Sequence, residues 1–212
     1  MSAALGIELE TGPIERARAD LAIVCFASTD RPLRGAAGRA DWRLCGRLSR
    51  LISAGRVAGH AGEAVLLPGG GGLRAPLLLA LGLGPGASLG PAAAAAFARD
   101  AVGRGLALRA ATLALALPPG DLGDLALRLR LEAIATGAGD ALATRREVQA
   151  ATLLLVAERE DGSRTLEALR TLRPPGFPTS VALRLPGAPV RRAAALPASP
   201  RGDAGLRPTP FK

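Results

Sequence analysis

The sequence of residues 62–86, GEAVLLPGGGGLRAPLLLALGLGPG, places two apolar runs on either side of four consecutive glycines. Both runs, EAVLLP at 63–68 and APLLLALGL at 75–83, have the length and the leucine content of buried strands. Glycine readily adopts the positive φ angles of tight turns. The stretch therefore predicts a β-hairpin that turns at Pro68–Gly72. A second glycine turn follows at 82–86.

Strand-like and helix-like segments alternate on both sides of this hairpin. Further strands are predicted at 5–10, 20–26, 111–118, 151–158 and 180–185, and helices at 42–52, 91–105, 122–139 and 163–172. Pro91 suits a first helical turn and Gly105 a helix end. This order favours an α/β fold with helices on both faces of one sheet. Because the early strands lie close together in sequence, we expect a mixed sheet.

Two of the helices have apolar rows that predict which side is buried. The apolar side of the first helix, after Asp41, comprises Trp42, Cys45, Leu48, Leu51 and Ile52, and its basic side comprises Arg43, Arg47 and Arg50. That basic side could contact phosphates, but it is also typical of an ordinary solvated helix face. The helix after Asp121 has one row with Leu122, Leu125 and Leu129 and another with Leu127, Leu131 and Ile134. We therefore expect the second helix to be well buried.

The positive charge is concentrated near the end of the chain. The net charge is +9, but residues 1–161 contain 18 Arg against 16 acidic residues, whereas residues 162–212 contain eight Arg and one Lys against two. Arginine, alanine, glycine and proline are all abundant, as a GC-rich genome produces, so an arginine count alone is weak support for a function. Residues 186–212 are rich in Pro, Gly and Arg, which predicts a flexible basic tail.

Several features of the sequence favour a cytoplasmic protein without a membrane partner. Cys25 and Cys45 have no disulfide framework spacing and are predicted to be buried thiols in a reducing compartment. The first residues lack the pattern of a secretion signal. Prolines and glycines divide the uncharged window 75–98 into pieces too short to span a bilayer.

The two glycine turns are the features of the sequence to weigh as ligand-binding sites. A phosphate-binding Walker loop ends in Gly-Lys-Ser/Thr and opens a helix, whereas the four glycines at 69–72 open a strand. The turn at 82–86 follows a strand and precedes a helix, so Gly82, Gly84 and Gly86 are the candidate ligand-binding residues. The turn at 82–86 lacks the Gly-x-Gly-x-x-Gly spacing of a dinucleotide-binding loop.

Catalytic and metal-binding residues are not expected. His60 is the only histidine, and its nearest acid in sequence, Glu63, does not complete a metal ligand set. Neither Cys25 nor Cys45 has an adjacent base. We therefore expect no catalytic residue, no metal site and no cofactor.

The order of these segments resembles the N-terminal domain of the leucyl aminopeptidase (cytosol aminopeptidase) family. The resemblance rests on DWRLCGRLSRLISAGRVAGHAGEAVLLPGGGGLRAPLLLALGLGP at 41–85, the Ala-rich helix that follows, and ATLALALP at 111–118. It extends over roughly residues 5–140. The resemblance implies a macro-domain-like three-layer α/β/α sandwich with a mixed sheet.

The same resemblance implies that the chain is not an enzyme. In the family, a separate C-terminal domain carries two metal ions, an active-site Lys and the signature Asn-Thr-Asp-Ala-Glu-Gly-Arg. This sequence has no Asn, and its single Lys is Lys212. We expect three parts: the aminopeptidase-like domain at 1–160, a short helix and candidate edge strand at 161–185, and the tail at 186–212.

Three functions remain open on this basis. The first is a stand-alone interaction, assembly or regulatory module whose partner is itself or a full-length aminopeptidase. The second is a module that binds a phosphate or an ADP-ribose-like nucleotide at 82–86, which the absence of Asn disfavours. The third is a DNA-binding regulator that contacts nucleic acid through the basic tail, as some bacterial relatives in the family bind DNA.

Overall fold

A seven-stranded sheet forms the middle of the protein, which a computed structural model describes over residues 4–86, 89–118, 123–145, 147–172 and 181–184. The strands are β1 (Ala4–Thr11), β2 (Leu21–Phe26), β3 (Ala64–Pro68), β4 (Leu77–Gly82), β5 (Thr112–Ala116), β6 (Ala150–Ala157) and β7 (Val181–Arg184). Their order across the sheet is β3-β4-β2-β5-β6-β1-β7. Only β3 and β4 pair antiparallel among these strands, so the predicted mixed sheet is confirmed.

Helices cover both faces of the sheet. They are α1 (Gly35–Arg43), α2 (Arg47–Ser53), α3 (Pro91–Ala107), α4 (Asp124–Ala143) and α5 (Arg159–Thr171), with a short 3-10 turn at Ile14–Arg16. Leu21 and Ile23 of β2 pack against α3, α4 and α5, whereas Ala22 and Val24 pack on the side of α1 and α2. This alternation follows from the two-residue period of a strand and confirms the predicted three layers.

The four glycines form the predicted hairpin turn between β3 and β4. Gly70 and Gly71 have φ angles of +57° and +78°, in the region that side chains disfavour. Gly72 lies so close to the carbonyl oxygen of Arg43 that a β-carbon there would collide with it. The turn therefore packs its backbone directly against the C-terminal end of α1.

The helix predicted at 42–52 is instead two helices, and this part of the prediction was wrong. Cys45 and Gly46 have φ angles of +55° and +73°, which interrupt the helix between α1 and α2. The interruption rotates the first part of the segment, so Trp42 is 75% exposed and Cys45 is also exposed. Leu48 and Cys25 are buried as expected.

The predicted burial of the leucine rows in α4 was partly wrong. Leu131 and Ile134 are buried, but Leu125 and Leu129 are exposed. Leu122 and Asp121 lie outside the described residues. In α3, Gly105 is not the end of the helix, which continues to Ala107; a β-carbon at Gly105 would meet the side chain of Leu113 on the sheet.

The C-terminal part is described only in pieces. Helix α5 and strand β7, at the edge of the sheet beside β1, occupy the places predicted for a short helix and an edge strand. The proposed domain boundaries remain predictions, and the tail at 186–212 lies outside the described residues. In the described part of the chain, none of the helices has both the length and the apolarity to cross a membrane.

Candidate functional site

A cavity of about 470 Å³ opens at the carboxyl ends of β2, β5 and β6. We call it the strand-end cavity. Its walls include Cys25 of β2, Ala116 of β5 and Val156 of β6, together with the first turns of α1 and α5 and one side of α4. The carboxyl ends of parallel strands are the usual position of ligand sites in open α/β sheets. A cavity of this volume accommodates a small molecule rather than a polymer.

Arg130 of α4 brings a buried positive charge to the wall of the strand-end cavity. Only 3% of this residue is exposed. One guanidinium nitrogen, Nη1, donates a hydrogen bond of 3.1 Å to the carbonyl oxygen of Pro118, just after β5. Loss of hydration on burial lowers the pKa of the Arg130 guanidinium, but an arginine remains charged. An anion in the cavity would therefore meet a cation that water barely reaches.

Two further buried side chains contribute polar atoms to the cavity. Burial, and secondarily the carboxylate of Asp30, raises the pKa of the Cys25 thiol to about 12. The thiol is therefore protonated at neutral pH, and the thiol form is a much weaker nucleophile than the thiolate. Thr165 of α5 is 1% exposed, and its Oγ1 has no hydrogen-bond partner among the described residues. A buried hydroxyl without a partner is costly, so a polar ligand atom beside it would be favoured.

Charged groups of both signs surround these buried atoms. Arg34 and Arg164 line the cavity, as do the carboxylates of Asp30, Glu158 and Asp161. Asp30 Oδ2 already accepts a 2.8 Å hydrogen bond from the backbone N–H of Ala27. The Glu158 carboxylate pairs with Arg39 of α1.

Two helices begin at the cavity. Gly35 and Ala36 in the first turn of α1, and Asp161 in the first turn of α5, belong to its lining. Neither start has a side-chain cap among the described contacts. The first N–H groups of a helix have no partner within the helix and carry partial positive charge. The start of α1 therefore adds to the attraction of this site for an anion, whereas Glu160 and Asp161 in the first turn of α5 offset the contribution of α5.

The glycines predicted from the sequence lie elsewhere. Gly82 ends β4, and Gly84 and Gly86 have φ angles of +80° and +95°, but none of the three lines the strand-end cavity. The backbone N–H groups of Gly82 and Gly84 donate to the carbonyl oxygens of Glu63 and Gly59, at 2.9 and 2.8 Å. These two hydrogen bonds attach the loop at residues 59–63 to the end of β4. A ligand role for the three glycines stays a prediction.

His60 and Glu63 belong to that same loop and act as structural residues. One carboxylate oxygen of Glu63 accepts hydrogen bonds from the backbone N–H groups of Ala58, Gly59 and His60, at 2.9, 2.6 and 3.0 Å. These bonds, that of Ala58 first, lower the pKa of Glu63. In the described ranges, no three His, Cys, Asp or Glu side chains come together as a metal-binding group.

Sequence reasoning missed the strand-end cavity because its parts are far apart in the chain. Cys25, Arg130 and Thr165 come from a strand and two helices separated by more than 30 residues each. One signal was present: Arg130 interrupts the leucine-rich segment LALRLRL at 125–131, on a helix expected to be buried. Arg128, two positions earlier in the same segment, is exposed, so this signal alone does not single out Arg130.

Residues 22–146 match the model of the N-terminal domain of the cytosol aminopeptidase family. No curated protein sequence matches the chain.

Solved structures share the fold at low sequence identity. A mutant of tomato leucine aminopeptidase aligns with 22% identity and a TM-score of 0.58, covering 79% of this chain and 36% of that one. The macrodomain of Oceanobacillus iheyensis with ADP aligns with 12% identity and a TM-score of 0.52, covering 76% and 88%. The macrodomain of Thermus aquaticus DarG aligns with 14% identity and a TM-score of 0.51, covering 72% and 99%. The chain thus spans about a third of the tomato enzyme and nearly all of each macrodomain.

Proposed function

Because the chain belongs to the cytosol aminopeptidase family through that family's N-terminal domain, we propose that it is a non-catalytic module that binds a small anionic ligand in the strand-end cavity. The observation that carries the proposal is the buried guanidinium of Arg130 in the wall of a cavity of about 470 Å³. The non-catalytic part is supported by a family match confined to the N-terminal domain.

The ligand is a molecule with a phosphate or carboxylate at one end and hydrogen-bonding groups at the other. Its anionic group would be placed near Arg130 and the first turn of α1, since the first turn of α5 carries Glu160 and Asp161. Hydroxyl or amine groups would suit the carboxylate of Asp161 and the hydroxyl of Thr165. The likeness to a macrodomain with ADP makes ADP and ADP-ribose reasonable first probes.

Thermal unfolding in the presence of these probes tests the proposal. A ligand at 100 times its dissociation constant stabilises the folded state by about 2.7 kcal/mol, which raises the melting temperature by several degrees. We expect such a rise with ADP or ADP-ribose at millimolar concentration. No rise with either probe at 10 mM would count against the proposal for nucleotide ligands.

Three variants locate the binding. Ala36→Leu projects a larger side chain from the first turn of α1 into the cavity and should abolish the rise. Thr165→Val removes only the hydroxyl and should weaken it. Thr136→Val, on α4, is the matched control, since Thr136 Oγ1 bonds the carbonyl of Glu132 and does not line the cavity. A rise that survives Ala36→Leu would place the ligand elsewhere.

A second candidate function is assembly with itself or with a full-length aminopeptidase. It is supported by the match to the N-terminal domain of that family. Light scattering after size-exclusion chromatography, with the chain alone and mixed with a cytosol aminopeptidase from the same genome, distinguishes these partners. A monomer in both samples would oppose this candidate.

A cytoplasmic location also belongs to the proposal. It is supported by the two cysteines, which form no disulfide.

A further inference from the structure

Positive charge is concentrated on the layer formed by α1 and α2. Residues 31–57 contain seven Arg and one Asp, a net charge of +6. The remainder of residues 4–172 contains 13 Arg and 16 acidic residues, a net charge of −3. A codon bias toward Arg acts on the whole chain, so it does not explain why residues 4–172 have their positive excess in this one segment.

The arginines of this segment are mostly exposed and are not neutralised by neighbouring acids. Its single acid, Asp41, is buried, and its carboxylate accepts hydrogen bonds from the backbone of Leu48 and Ser49. Among the described residues, only Arg39 of the seven forms an ion pair, with Glu15 and Glu158. The exposed members are Arg31, Arg34, Arg43, Arg47, Arg50 and Arg56.

The only tryptophan of the chain lies among these arginines. Trp42 is 75% exposed, and the guanidinium carbon of Arg43 is 5.3 Å from the centre of its ring. A shallow groove of about 400 Å³ runs beside it, lined in part by Leu33, Gly38 and Arg39. Exposed Trp and Arg together are typical of binding surfaces, since a large ring left in water gains by being covered.

The turn between α1 and α2 brings Arg47 and Arg50 next to the C-terminal end of α1. Arg39, Trp42 and Arg43 lie three and four positions apart on α1, which puts them on one side of that helix. Arg47 opens α2 immediately after the turn, and Nη1 of Arg50 donates a 2.7 Å hydrogen bond to the carbonyl oxygen of Cys45 within the turn. We call this surface the Trp42 face; its residues are Arg39, Trp42, Arg43, Arg47 and Arg50.

We infer that the Trp42 face binds single-stranded nucleic acid, with an unpaired base stacked on the ring of Trp42 and backbone phosphates contacting Arg43, Arg47 and Arg50. Aromatic rings stack on bases of any sequence, and arginines follow the phosphates, so this pair of residue types suits a single strand. A duplex keeps its bases stacked on one another and offers Trp42 no free base. This inference is independent of the strand-end cavity and of the basic tail.

Other anionic partners fit the same surface less well. An acidic peptide would use the arginines but has no requirement for the Trp42 ring. A lipid surface favours a Trp flanked by other large apolar side chains, whereas the neighbours of Trp42 on its face are arginines. These partners therefore become outcomes of the test.

Intrinsic fluorescence reports directly on the proposed contact. Trp42 is the only Trp and the chain has no Tyr, so emission of the full-length protein comes from this ring. We expect a twelve-residue oligothymidylate, or the corresponding oligouridylate, to quench it at low salt, and a DNA duplex of the same length to bind at least tenfold more weakly. Three phosphate contacts predict that log Kobs falls with log salt with a slope of about −2.

Charge variants of the full-length chain assign the phosphate contacts. Replacing Arg43, Arg47 and Arg50 by Gln should lower the affinity at least tenfold and remove most of the salt slope. The matched control replaces Arg99, Arg109 and Arg128, exposed arginines on the opposite layer, by Gln and should leave the affinity within twofold. A third variant, in which Arg191, Arg192, Arg201 and Arg207 of the tail become Gln, should retain the quenching.

The stacking contact needs a separate variant. Trp42→Ala should weaken the binding of a dye-labelled oligonucleotide by roughly tenfold or more, since stacking on one base contributes about 1–3 kcal/mol. An unchanged melting temperature shows that the exposed ring is not needed for folding. Four results would overturn the inference: no quenching, equal losses in the face and control variants, duplex binding as tight as single-strand binding, or loss of binding only in the tail variant. Tighter binding to phosphatidylserine vesicles, or to a poly-glutamate peptide, than to the oligonucleotide would also overturn it.

Discussion

The carboxylate of Asp41, in the last turn of α1, accepts a 2.7 Å hydrogen bond from the backbone N–H of Leu48, in the first turn of α2. Both residues are buried. One acid thus caps the second helix from within the first, and it fixes the angle at which the arginines of the two helices meet. The sequence indicated Asp41 as a helix start, but not that the helix it caps begins at Arg47.

Removal of this cap should destabilise the protein. We expect Asp41→Ala to lower the free energy of unfolding by about 1–2 kcal/mol, because it leaves buried N–H groups of α2 without an acceptor. Asp100→Ala is the control, since Asp100 forms a partly exposed pair with Arg104 and should cost less than about 0.5 kcal/mol. Urea unfolding followed by circular dichroism measures both. Equal losses would contradict the proposed role of Asp41.

The two cysteines should differ sharply in reactivity. Cys45 is exposed, whereas Cys25 is buried with its pKa raised to about 12, so very little Cys25 thiolate exists at pH 8. We expect Ellman's reagent to titrate one thiol in the native protein and two in urea, and Cys45→Ser to abolish the native reaction. Rapid reaction of two thiols in the folded protein would show that Cys25 is accessible.

The loop closed by Glu63 should contribute stability that depends on pH. The folded-state pKa of Glu63 lies below its ordinary value of 4.5. A lowered pKa stabilises the fold above the unfolded-state value, and this contribution is lost as the pH falls through the folded-state value. Between pH 7 and pH 3 we therefore expect Glu63→Gln to lose less stability than the native chain. A Glu63→Gln curve parallel to the native curve would refute the assignment.

Two adjacent glycines of the hairpin turn should respond differently to substitution. A β-carbon at Gly72 would collide with the carbonyl oxygen of Arg43, so Gly72→Ala should lower the free energy of unfolding by about 1–3 kcal/mol. Gly71 has open space around it and a φ angle of +78°, so Gly71→Asn should be tolerated because Asn accepts that backbone region better than most residues. Chemical unfolding of both variants measures the difference. A greater loss at Gly71 would mean that the turn does not pack on α1.

The strands were predictable because their apolar runs are short and bounded by glycine and proline. The hairpin of β3 and β4 and the helix start at Pro91 follow from local sequence, and the structure confirms them. The interruption at Cys45 and Gly46 was harder to foresee, since the apolar spacing continues across it. Gly46 was the only local sign of the break. Burial of α4 was misjudged at Leu125 and Leu129 because periodicity does not show how far a helix extends beyond its neighbours.

The candidate site could not be derived in the same way. Hydrophobic periodicity identifies which side of an element is buried, but not which buried side chains from different elements meet. Arg130 and Thr165 share a cavity with Cys25 only because β2, β5 and β6 are neighbours and α4 and α5 cross the same side. The Trp42 face lies within residues 39–50 and depends on a local turn that breaks the expected helix. Long-range topology thus creates the cavity, whereas the backbone conformation at Cys45 and Gly46 creates the face.

Arg39 belongs to the Trp42 face and pairs with Glu158, a residue of the strand-end cavity. The Arg39–Glu158 ion pair thus joins the Trp42 face, proposed to bind single-stranded nucleic acid, to the strand-end cavity, proposed to bind a small anion. If occupancy of the cavity drew Glu158 away, Arg39 would keep only its 3.6 Å contact with Glu15 and would become more available to a phosphate outside. Thermodynamic linkage then requires that each ligand change the affinity of the other by the same factor. Titrations of either ligand should therefore be made with the occupancy of the other site held fixed.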